Sequence, residues 1–282
     1  MLNSKFIINF TPTGMIPTKA LTPFVPITVD EVIEDVLNAA HLGVNMVHLH
    51  VRDPQTGEPT YKKEIYGEII RGIRAENKDL ILGVSTSGRH FNSFAKRSEC
   101  LELVDGLRPD LASLTLSSVN FNRQASINSP DMIKKLAKKM LERDIKPELE
   151  AFDLGMINYA KYLIRKKLLQ PPYYFNLILG NIACAQADML HLGLMIRELP
   201  DNSYWSVGGI GDWQLKMNIM AIVSGGGVRI GLEDNIWFDN DRQQLATNYK
   251  LVERLTEIAK SLGLHPYRPA ELRKLLNLKT GE

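Results

Sequence analysis

Short runs of β-branched and aromatic residues alternate along the chain with stretches that carry apolar residues at helical spacing. This alternation is typical of parallel α/β folds. It predicts eight strands, at Phe6–Thr11, Val44–Val51, Leu80–Thr86, Leu111–Leu116, Pro147–Phe152, Tyr173–Leu179, Trp205–Ile210 and Val228–Leu232. Eight strand-then-helix units with short connections favour a (β/α)8 TIM barrel with extra C-terminal helices, and we expect residues 1–282 to form one domain.

Start and stop signals support the helices between these strands. Thr28, followed three residues later by Glu31, predicts a capping box, and Ser129 followed by Pro130 predicts another helix start. We expect the last two helices at Arg242–Leu262 and Pro269–Leu276. A doubly wound open sheet is the alternative fold, but its first turn usually carries a glycine-rich fingerprint, which Thr11-Pro12-Thr13-Gly14 lacks.

Composition narrows the class of protein. The 282 residues carry 34 basic and 32 acidic side chains, a net charge of +2, which argues against a nucleic-acid-binding surface. The two cysteines, Cys100 and Cys184, cannot form a disulfide framework and favour a reducing compartment. The N-terminal apolar stretch is too short for a signal peptide, and no run is long enough to span a membrane. We therefore expect a cytoplasmic protein.

The second strand carries the strongest chemical signal. His48 and His50 are two residues apart, so both point to one face of the strand, while Val47, Leu49 and Val51 form the other. The apolar face suits the covering helices, so both imidazoles should face the barrel interior near its C-terminal rim, where they could share a metal ion. The alternative is two histidines that only form hydrogen bonds in the core.

The last strand shows the same division. Arg229, Gly231 and Glu233 share one face of the predicted strand, and Asp234 follows at the rim. A buried Arg and Glu are costly unless they pair or bind a ligand. Glu233 would complete a His-His-Glu metal set with one open position, whereas a purely structural pair of Arg229 with an acid is the alternative.

Three further strands bring polar side chains to their inward faces. Glu148 and Glu150 share one face of the fifth strand, which suggests acid–base chemistry or pairing with arginine, unless the strand end is simply solvated. Ser85 lies at the end of the third strand, and Ser113 and Thr115 share a face of the fourth. These hydroxyls could hold a substrate carboxylate.

Taken together, these motifs resemble the β-keto acid cleavage enzymes (the BKACE family) over nearly the whole chain. The resemblance rests on four segments: 48–53 (HLHVRD), 146–150 (KPELE), 205–211 (WSVGGIG) and 228–235 (VRIGLEDN). It implies a zinc-dependent TIM-barrel acyltransferase, usually a homotetramer, that converts a β-keto acid and acetyl-CoA into acetoacetate and a new acyl-CoA. In the family's proposed course, addition to the thioester is followed by CoA transfer and a retro-Claisen cleavage.

The resemblance also implies roles for individual residues. The zinc ligands fall on His48, His50 and Glu233, and the catalytic Arg–Asp pair falls on Arg229 and Asp234. The positions that hold substrate carboxylate fall on Ser85 and Gly88, and the strand-four hydroxyl falls on Ser113 or Thr115. The strand-five glutamate falls on Glu148, with Glu150 as its competitor.

Some loops depart from the family pattern. Ile16 replaces the family's first-loop acid, which recognises a substrate amino group, so we expect a substrate without an amino group and with an uncharged or apolar tail. The loops at 180–183 (GNIA) and 211–214 (GDWQ) also differ, which affects the pocket and the CoA entrance. Apolar residues expected in loops favour subunit contacts: Tyr173, Tyr174, Trp213, Trp237 and Phe238.

Three other functions remain open from the sequence. An amidohydrolase-like metal hydrolase also uses a His-X-His strand, but it normally adds histidines from strands five and six, which have none here. A zinc aldolase or lyase would need no CoA. A barrel that only binds a keto acid would not need Arg229 and Asp234 beside the metal.

Overall fold

Eight parallel strands close into a barrel in the computed structural model, which describes residues 4–279. Each strand pairs with its neighbour in chain order, and the last pairs with the first through Val228 opposite Ile8 and Arg229 opposite Asn9. The strands are β1 Ile8–Phe10, β2 Met46–Leu49, β3 Ile81–Val84, β4 Leu111–Thr115, β5 Lys146–Ala151, β6 Tyr173–Leu179, β7 Ser203–Gly209 and β8 Gly227–Ile230. The predicted TIM barrel is therefore confirmed, and the open sheet is excluded.

Helices connect the strands and cover the outside of the barrel. They are α1 Val29–His41, α2 Lys63–Glu76, α3 Phe94–Ser98, α4 Pro130–Glu142, α5 Leu154–Arg165, α6 Met189–Arg197, α7 Gln214–Val223, α8 Asn248–Ser261 and α9 Pro269–Leu275. The predicted capping box is present, because the Thr28 hydroxyl accepts a hydrogen bond from Glu31 N and the Glu31 carboxylate accepts one from Thr28 N. Nothing in these described helices is long and apolar enough to cross a membrane.

The predicted start of the penultimate helix, at Arg242, was wrong. Arg242 has φ 56°, in the left-handed region that interrupts a helix, and the chain around it forms a loop. Helix α8 begins only at Asn248, where the Thr247 side chain accepts a hydrogen bond from Lys250 N. The N-cap therefore sets the start of α8, rather than the polar run that precedes it.

The N-terminal end of the barrel interior is filled with apolar side chains. This cluster contains Ile7, Met46, Ile81, Leu111, Tyr174, Leu272 and Leu276. Helix α9 supplies Leu272 and its C-cap residue supplies Leu276, so the extra C-terminal helix closes this end. Tyr173 and Tyr174 lie in β6 and are buried within the chain, which corrects their expected place in a loop at a subunit contact.

The middle of the barrel interior is polar. Successive side chains of a strand alternate between interior and exterior, and the inward positions above the apolar cluster are Asn9, His48, Ser113, Glu148, Asn176, Ser206 and Arg229. All seven are buried. A polar layer of this size needs internal partners or a ligand, and it lies directly beneath the C-terminal mouth.

Candidate active site at the C-terminal mouth

A cavity of about 660 Å³ opens at the C-terminal ends of the strands. Among the residues that line it are His48, His50, Arg229, Glu233 and Asp234. Barrel enzymes of this architecture carry their active sites at this end. The residues predicted from the second and last strands therefore meet in one cavity.

The two histidines face each other as the strand alternation predicts. His48 Nε2 lies 3.1 Å from His50 Nε2, and both side chains are buried. His48 is the last inward residue of β2, while His50 stands just past the end of that strand. The opposite positions, Val47 and Leu49, pack in the outer hydrophobic core.

Glu233 reaches the histidines from a turn and not from the strand that the sequence suggested. Strand β8 ends at Ile230, and Gly231 follows with φ 154° so close to Thr11 that a Cβ would lie 2.1 Å from the Thr11 carbonyl oxygen. A residue with a side chain cannot make this approach. The turn then brings Glu233 Oε1 to 3.2 Å from His50 Nε2.

The three side chains fit a metal ion. Their candidate ligand atoms all lie within 4.8 Å of one another. Two of the three separations, 3.1 Å between the histidine nitrogens and 3.2 Å between His50 and Glu233, are close to the ~3.3 Å expected between donors bound at ~2.0 Å in a tetrahedral site. The second carboxylate oxygen of Glu233 is buried and accepts no hydrogen bond from the described residues, so it also remains available to a cation.

Glu148 lies behind His48 and outside the cavity lining. Its Oε2 is 2.7 Å from His48 Nδ1, and its Oε1 accepts hydrogen bonds from Asn9 Nδ2, at 2.6 Å, and from Asn176 Nδ2. Such a carboxylate keeps the proton of the imidazole on Nδ1 and leaves Nε2 free for a metal. Burial lowers the pKa of His48, but the attraction of Glu148 and Glu233 outweighs it and raises the pKa to about 9.

Arg229 links the metal-type site, formed by His48, His50 and Glu233, to a second carboxylate. Its Nη2 lies 2.8 Å from Glu233 Oε1, and its Nε donates to Asp234 Oδ2 at 2.8 Å. Gly208 makes room for this side chain, since a Cβ there would lie 3.1 Å from Arg229 Cδ. Nη1 of Arg229 is buried and has no hydrogen-bond partner among the described residues, although Glu150 Oε1 approaches it to 3.8 Å.

The carboxylates in the cavity differ in acidity. Burial raises the pKa of Glu233, but Arg229 and the two histidines more than reverse this and hold it well below its usual value. Burial raises the pKa of Asp234 and of Glu150, and in both cases the neighbouring positive charges do not fully offset the effect. Glu233 is therefore suited to remain an anionic ligand, while Asp234 and Glu150 are suited to exchange a proton.

The other residues expected in the site divide into two groups. Ser85, Thr115, Glu150 and Ile16 line the cavity, and Thr115 Oγ1 donates to Glu150 Oε2 at 2.6 Å. Ser113 instead lies behind the wall, where its hydroxyl accepts a hydrogen bond from Thr86 N. Gly88 packs against the Ile127 carbonyl and the Arg97 guanidinium, which a Cβ would approach to 2.5 and 2.7 Å.

Several site residues were missed by the sequence reasoning. Asn9 and Asn176 donate hydrogen bonds to Glu148. The alternation of side chains along β1 and β6 places both residues on the inward face, so the sequence could have indicated them. Arg52 donates to the carbonyls of Gly14 and Pro17 and so anchors the first loop. Arg89, which lines the cavity from the loop after β3, has no periodic pattern that could have indicated it.

Comparison with known proteins identifies the family of this chain. Residues 5–278 match the family described as "beta-keto acid cleavage enzyme". A protein of Fusobacterium nucleatum subsp. nucleatum named 3-keto-5-aminohexanoate cleavage enzyme is 37% identical over 277 residues, covering 98% of each chain. A protein of Cupriavidus necator named 3-oxoadipate:acetyl-CoA acetyltransferase is 35% identical over 281 residues, covering 98% of this chain and 96% of that one.

The apo structure of ObcA shares the barrel fold, with a TM-score of 0.80 and 21% identity over 91% of this chain and 66% of that one. The family match extends over nearly all of the described residues, and the two relatives align over nearly their full lengths. The chain therefore belongs to the β-keto acid cleavage enzyme family, and it is an enzyme of that family.

Proposed function

We propose that this protein is a zinc-dependent transferase that converts a β-keto acid and acetyl-CoA into acetoacetate and a new acyl-CoA. One observation carries the proposal: the ligand atoms of His48, His50 and Glu233 converge within 4.8 Å beside the Arg229–Asp234 pair in one cavity. Family membership and the acetyl-CoA transferase name of the Cupriavidus necator relative support the reaction type.

Zinc suits this donor set, because two imidazoles and one carboxylate form a common zinc ligand combination that leaves a position for substrate. When bound, the ion would act as a Lewis acid that polarises the keto oxygen and favours loss of a neighbouring proton. Glu148 fixes the His48 ring, and Arg229 keeps Glu233 ionised.

Asp234 is the proposed base. Arg229 orients its carboxylate through Nε and Nη2, at 2.8 and 3.3 Å, and burial keeps its pKa raised. Asp234 takes a proton from C2 of the keto acid, and C2 then forms a bond to the acetyl carbonyl carbon. The thiolate of CoA moves to the keto carbon, the bond between C2 and that carbon breaks, and the proton returns to C2. Acetoacetate and the new acyl-CoA account for all atoms.

The hydroxyls of Ser85 and Thr115 line the cavity and would hold the reacting carboxylate of the substrate. Gly88 and Ser113 lie behind the residues that line the cavity, and they would contribute by positioning those residues. Ile16 lines the cavity and offers no counter-charge to an ammonium group, so the proposed substrate carries no amino group.

Isotope transfer tests the reaction. We would incubate the zinc-loaded protein with a β-keto acid and acetyl-CoA labelled with ¹³C at both acetyl carbons, and analyse the products by mass spectrometry. We expect acetoacetate with two ¹³C atoms and an unlabelled new acyl-CoA. Cleavage of the keto acid without CoA would support a lyase instead, and labelled acetate would support a hydrolase.

The metal has its own test. The substitutions His48→Ala and Glu233→Gln each remove one ligand, so we expect loss of both bound zinc and turnover, measured by elemental analysis and the labelled assay. A metal-free variant that keeps full activity would refute the role of zinc.

We also propose that single-domain barrels assemble into a homotetramer. Ile182, Met189 and Leu190, at and before the start of α6, are largely exposed in the single chain. Exposed apolar side chains of this size are typical of subunit contacts. Light scattering on the purified protein tests the assembly, and a monomeric mass would contradict it.

A further inference from the structure

Arg89 lies half-buried in the cavity wall, and its position is fixed by an aromatic ring. Its guanidinium carbon is 3.6 Å from the ring centroid of Phe121, and Phe121 in turn packs edge-on against Phe152 at 5.9 Å between ring centroids. An arginine that rests on an aromatic face still has its N–H groups free to donate. Among residues 4–279, none accepts a hydrogen bond from this side chain or forms an ion pair with it.

The other arginines of the cavity are used differently. Arg229 binds the carboxylates of Glu233 and Asp234. Arg52 donates to backbone carbonyls, and Arg123 is an exposed residue at the rim. The Arg89 guanidinium, in contrast, is half-buried in the cavity wall, and its N–H donors have no acceptor among residues 4–279.

The charges around Arg89 limit what its donors can bind. Burial lowers the pKa of Arg89, while the attraction of Glu233, Asp234 and Glu150 opposes this, and guanidinium groups remain charged in proteins. The three acids belong to the reacting end of the cavity, so an anionic group on the ligand is repelled there unless a metal or an arginine is adjacent. Arg89 offers a second place for an anion in addition to the metal-type site.

We propose that Arg89 is a specificity-determining residue that binds a second carboxylate of the substrate, so that the preferred substrate class is the β-keto diacids. The inference rests on the proposed function and narrows it: Ile16 disfavours an amino group, and Arg89 selects a carboxylate over the uncharged or apolar tail that the sequence alone favoured. The reacting carboxylate is the neighbour of the keto group and belongs with it at the metal-type site. The phosphates of CoA are separated from its thioester by the long pantetheine arm, whereas Arg89 lies near enough to Glu233 and Asp234 for their charges to act on it.

Two probes of equal chain length test the proposal: 3-oxoadipate, a keto diacid, and 3-oxohexanoate, which lacks the second carboxylate. Binding of each is measured calorimetrically to the zinc-loaded protein without acetyl-CoA, and kcat/KM is then measured with it. In the unsubstituted protein we expect 3-oxoadipate to bind more tightly and to react faster. In Arg89→Met we expect the ratio of the two affinities, and of the two kcat/KM values, to fall about 10- to 100-fold, as for loss of one charge-assisted pair.

Matched variants separate recognition from structure. Arg89→Lys keeps the positive charge and should retain part of the preference, while Arg123→Met removes an exposed rim charge and should leave the ratio unchanged. An equal loss for both probes in Arg89→Met would assign Arg89 to the reacting carboxylate or to the wall, and a raised KM for acetyl-CoA with an unchanged ratio would assign it to CoA. Either result overturns the proposal, as does a preference for 3-oxohexanoate in the unsubstituted protein. Since calorimetry needs no turnover, failure of the acyl transfer itself would be seen separately.

Discussion

The substitution Glu148→Gln distinguishes a residue that orients a metal ligand from one that transfers protons. Oε1 of Glu148 accepts from both Asn9 and Asn176, so the glutamine oxygen must take this place, because the opposite orientation would set its NH2 group against two amide donors. The glutamine NH2 group then faces His48 Nδ1, where Oε2 stood at 2.7 Å. Nδ1 has to accept, and the ring proton moves to Nε2, the atom that points to the metal position.

The expected loss follows from this tautomer change. Removing such an outer partner of a ligating histidine costs about 10- to 100-fold in metal affinity, or ~1.4–2.7 kcal/mol. Zinc affinity is measured by competition with a chromophoric chelator, and activity is measured over a zinc titration. Because Glu148 helps to raise the pKa of His48 to about 9, a proton competes with the metal at neutral pH, and the comparison is best made at pH 9.

The control lies two residues along the same strand. Glu150 faces the cavity and accepts a hydrogen bond from Thr115, and among residues 4–279 it forms no hydrogen bond to a histidine, so Glu150→Gln should keep normal zinc affinity and reduce turnover. We expect excess zinc to restore most of the activity of Glu148→Gln. Normal zinc affinity in that variant, combined with a large fall in kcat that zinc does not reverse, would refute the reasoning and support the catalytic role that the sequence suggested for Glu148.

Three further predictions concern the base, the first loop and pH. Asp234→Asn keeps its place beside Arg229 but cannot accept the substrate proton, so kcat should fall about 10²- to 10⁴-fold with zinc retained, as measured by the labelled assay and elemental analysis. Gly14 has φ 65°, and a Cβ there would lie 2.5 Å from Glu233 Cγ, so Gly14→Ala should weaken zinc binding at least tenfold in the chelator assay; an unchanged affinity would contradict this. Burial raises the pKa of Asp35 to about 7 from its ordinary 3.8, so ionisation of the unfolded chain destabilises the protein as pH rises from about 4 to 7. Asp35→Asn should therefore add about 1–2 kcal/mol of stability at pH 8 and little at pH 4, since partial exposure reduces the ~4 kcal/mol that the full shift implies; equal gains at both pH values in denaturant unfolding would refute this.

The metal-type site shows how far residue patterns lead. The period of two in β2 placed His48 and His50 on one inward face, and the structure confirms this. The same rule placed Glu233 on that face of the last strand, and it does reach His50, but from the turn after Gly231. The prediction that Glu233 lies beside His50 was correct, but the reason was different. Glu233 is placed by the close approach of Gly231 to Thr11, which is a contact between segments distant in sequence.

The alternation of side chains along a strand also does not indicate how deep in the barrel each inward residue lies. Glu148 and Glu150 share one face of β5, yet one lies beneath a histidine and the other lines the cavity. Two residues along a strand correspond to about 6.6 Å, which exceeds the length of a hydrogen bond and separates a buried support from a substrate-facing group. Only the register of β5 against its neighbours decides which is which.

The sequence by itself determined the eight strands, the helix starts at Thr28, Ser129 and Pro269, and which side chains face inward, because these depend on periodicity and on capping groups close together in the chain. The tertiary structure decided which inward groups meet, where Glu233 lies, and that Arg89 lines the cavity with no hydrogen-bond acceptor for its side chain among residues 4–279. Those properties depend on the stagger of the strands and the paths of the loops between them. Both are set by contacts between residues far apart in the chain, which no local pattern records.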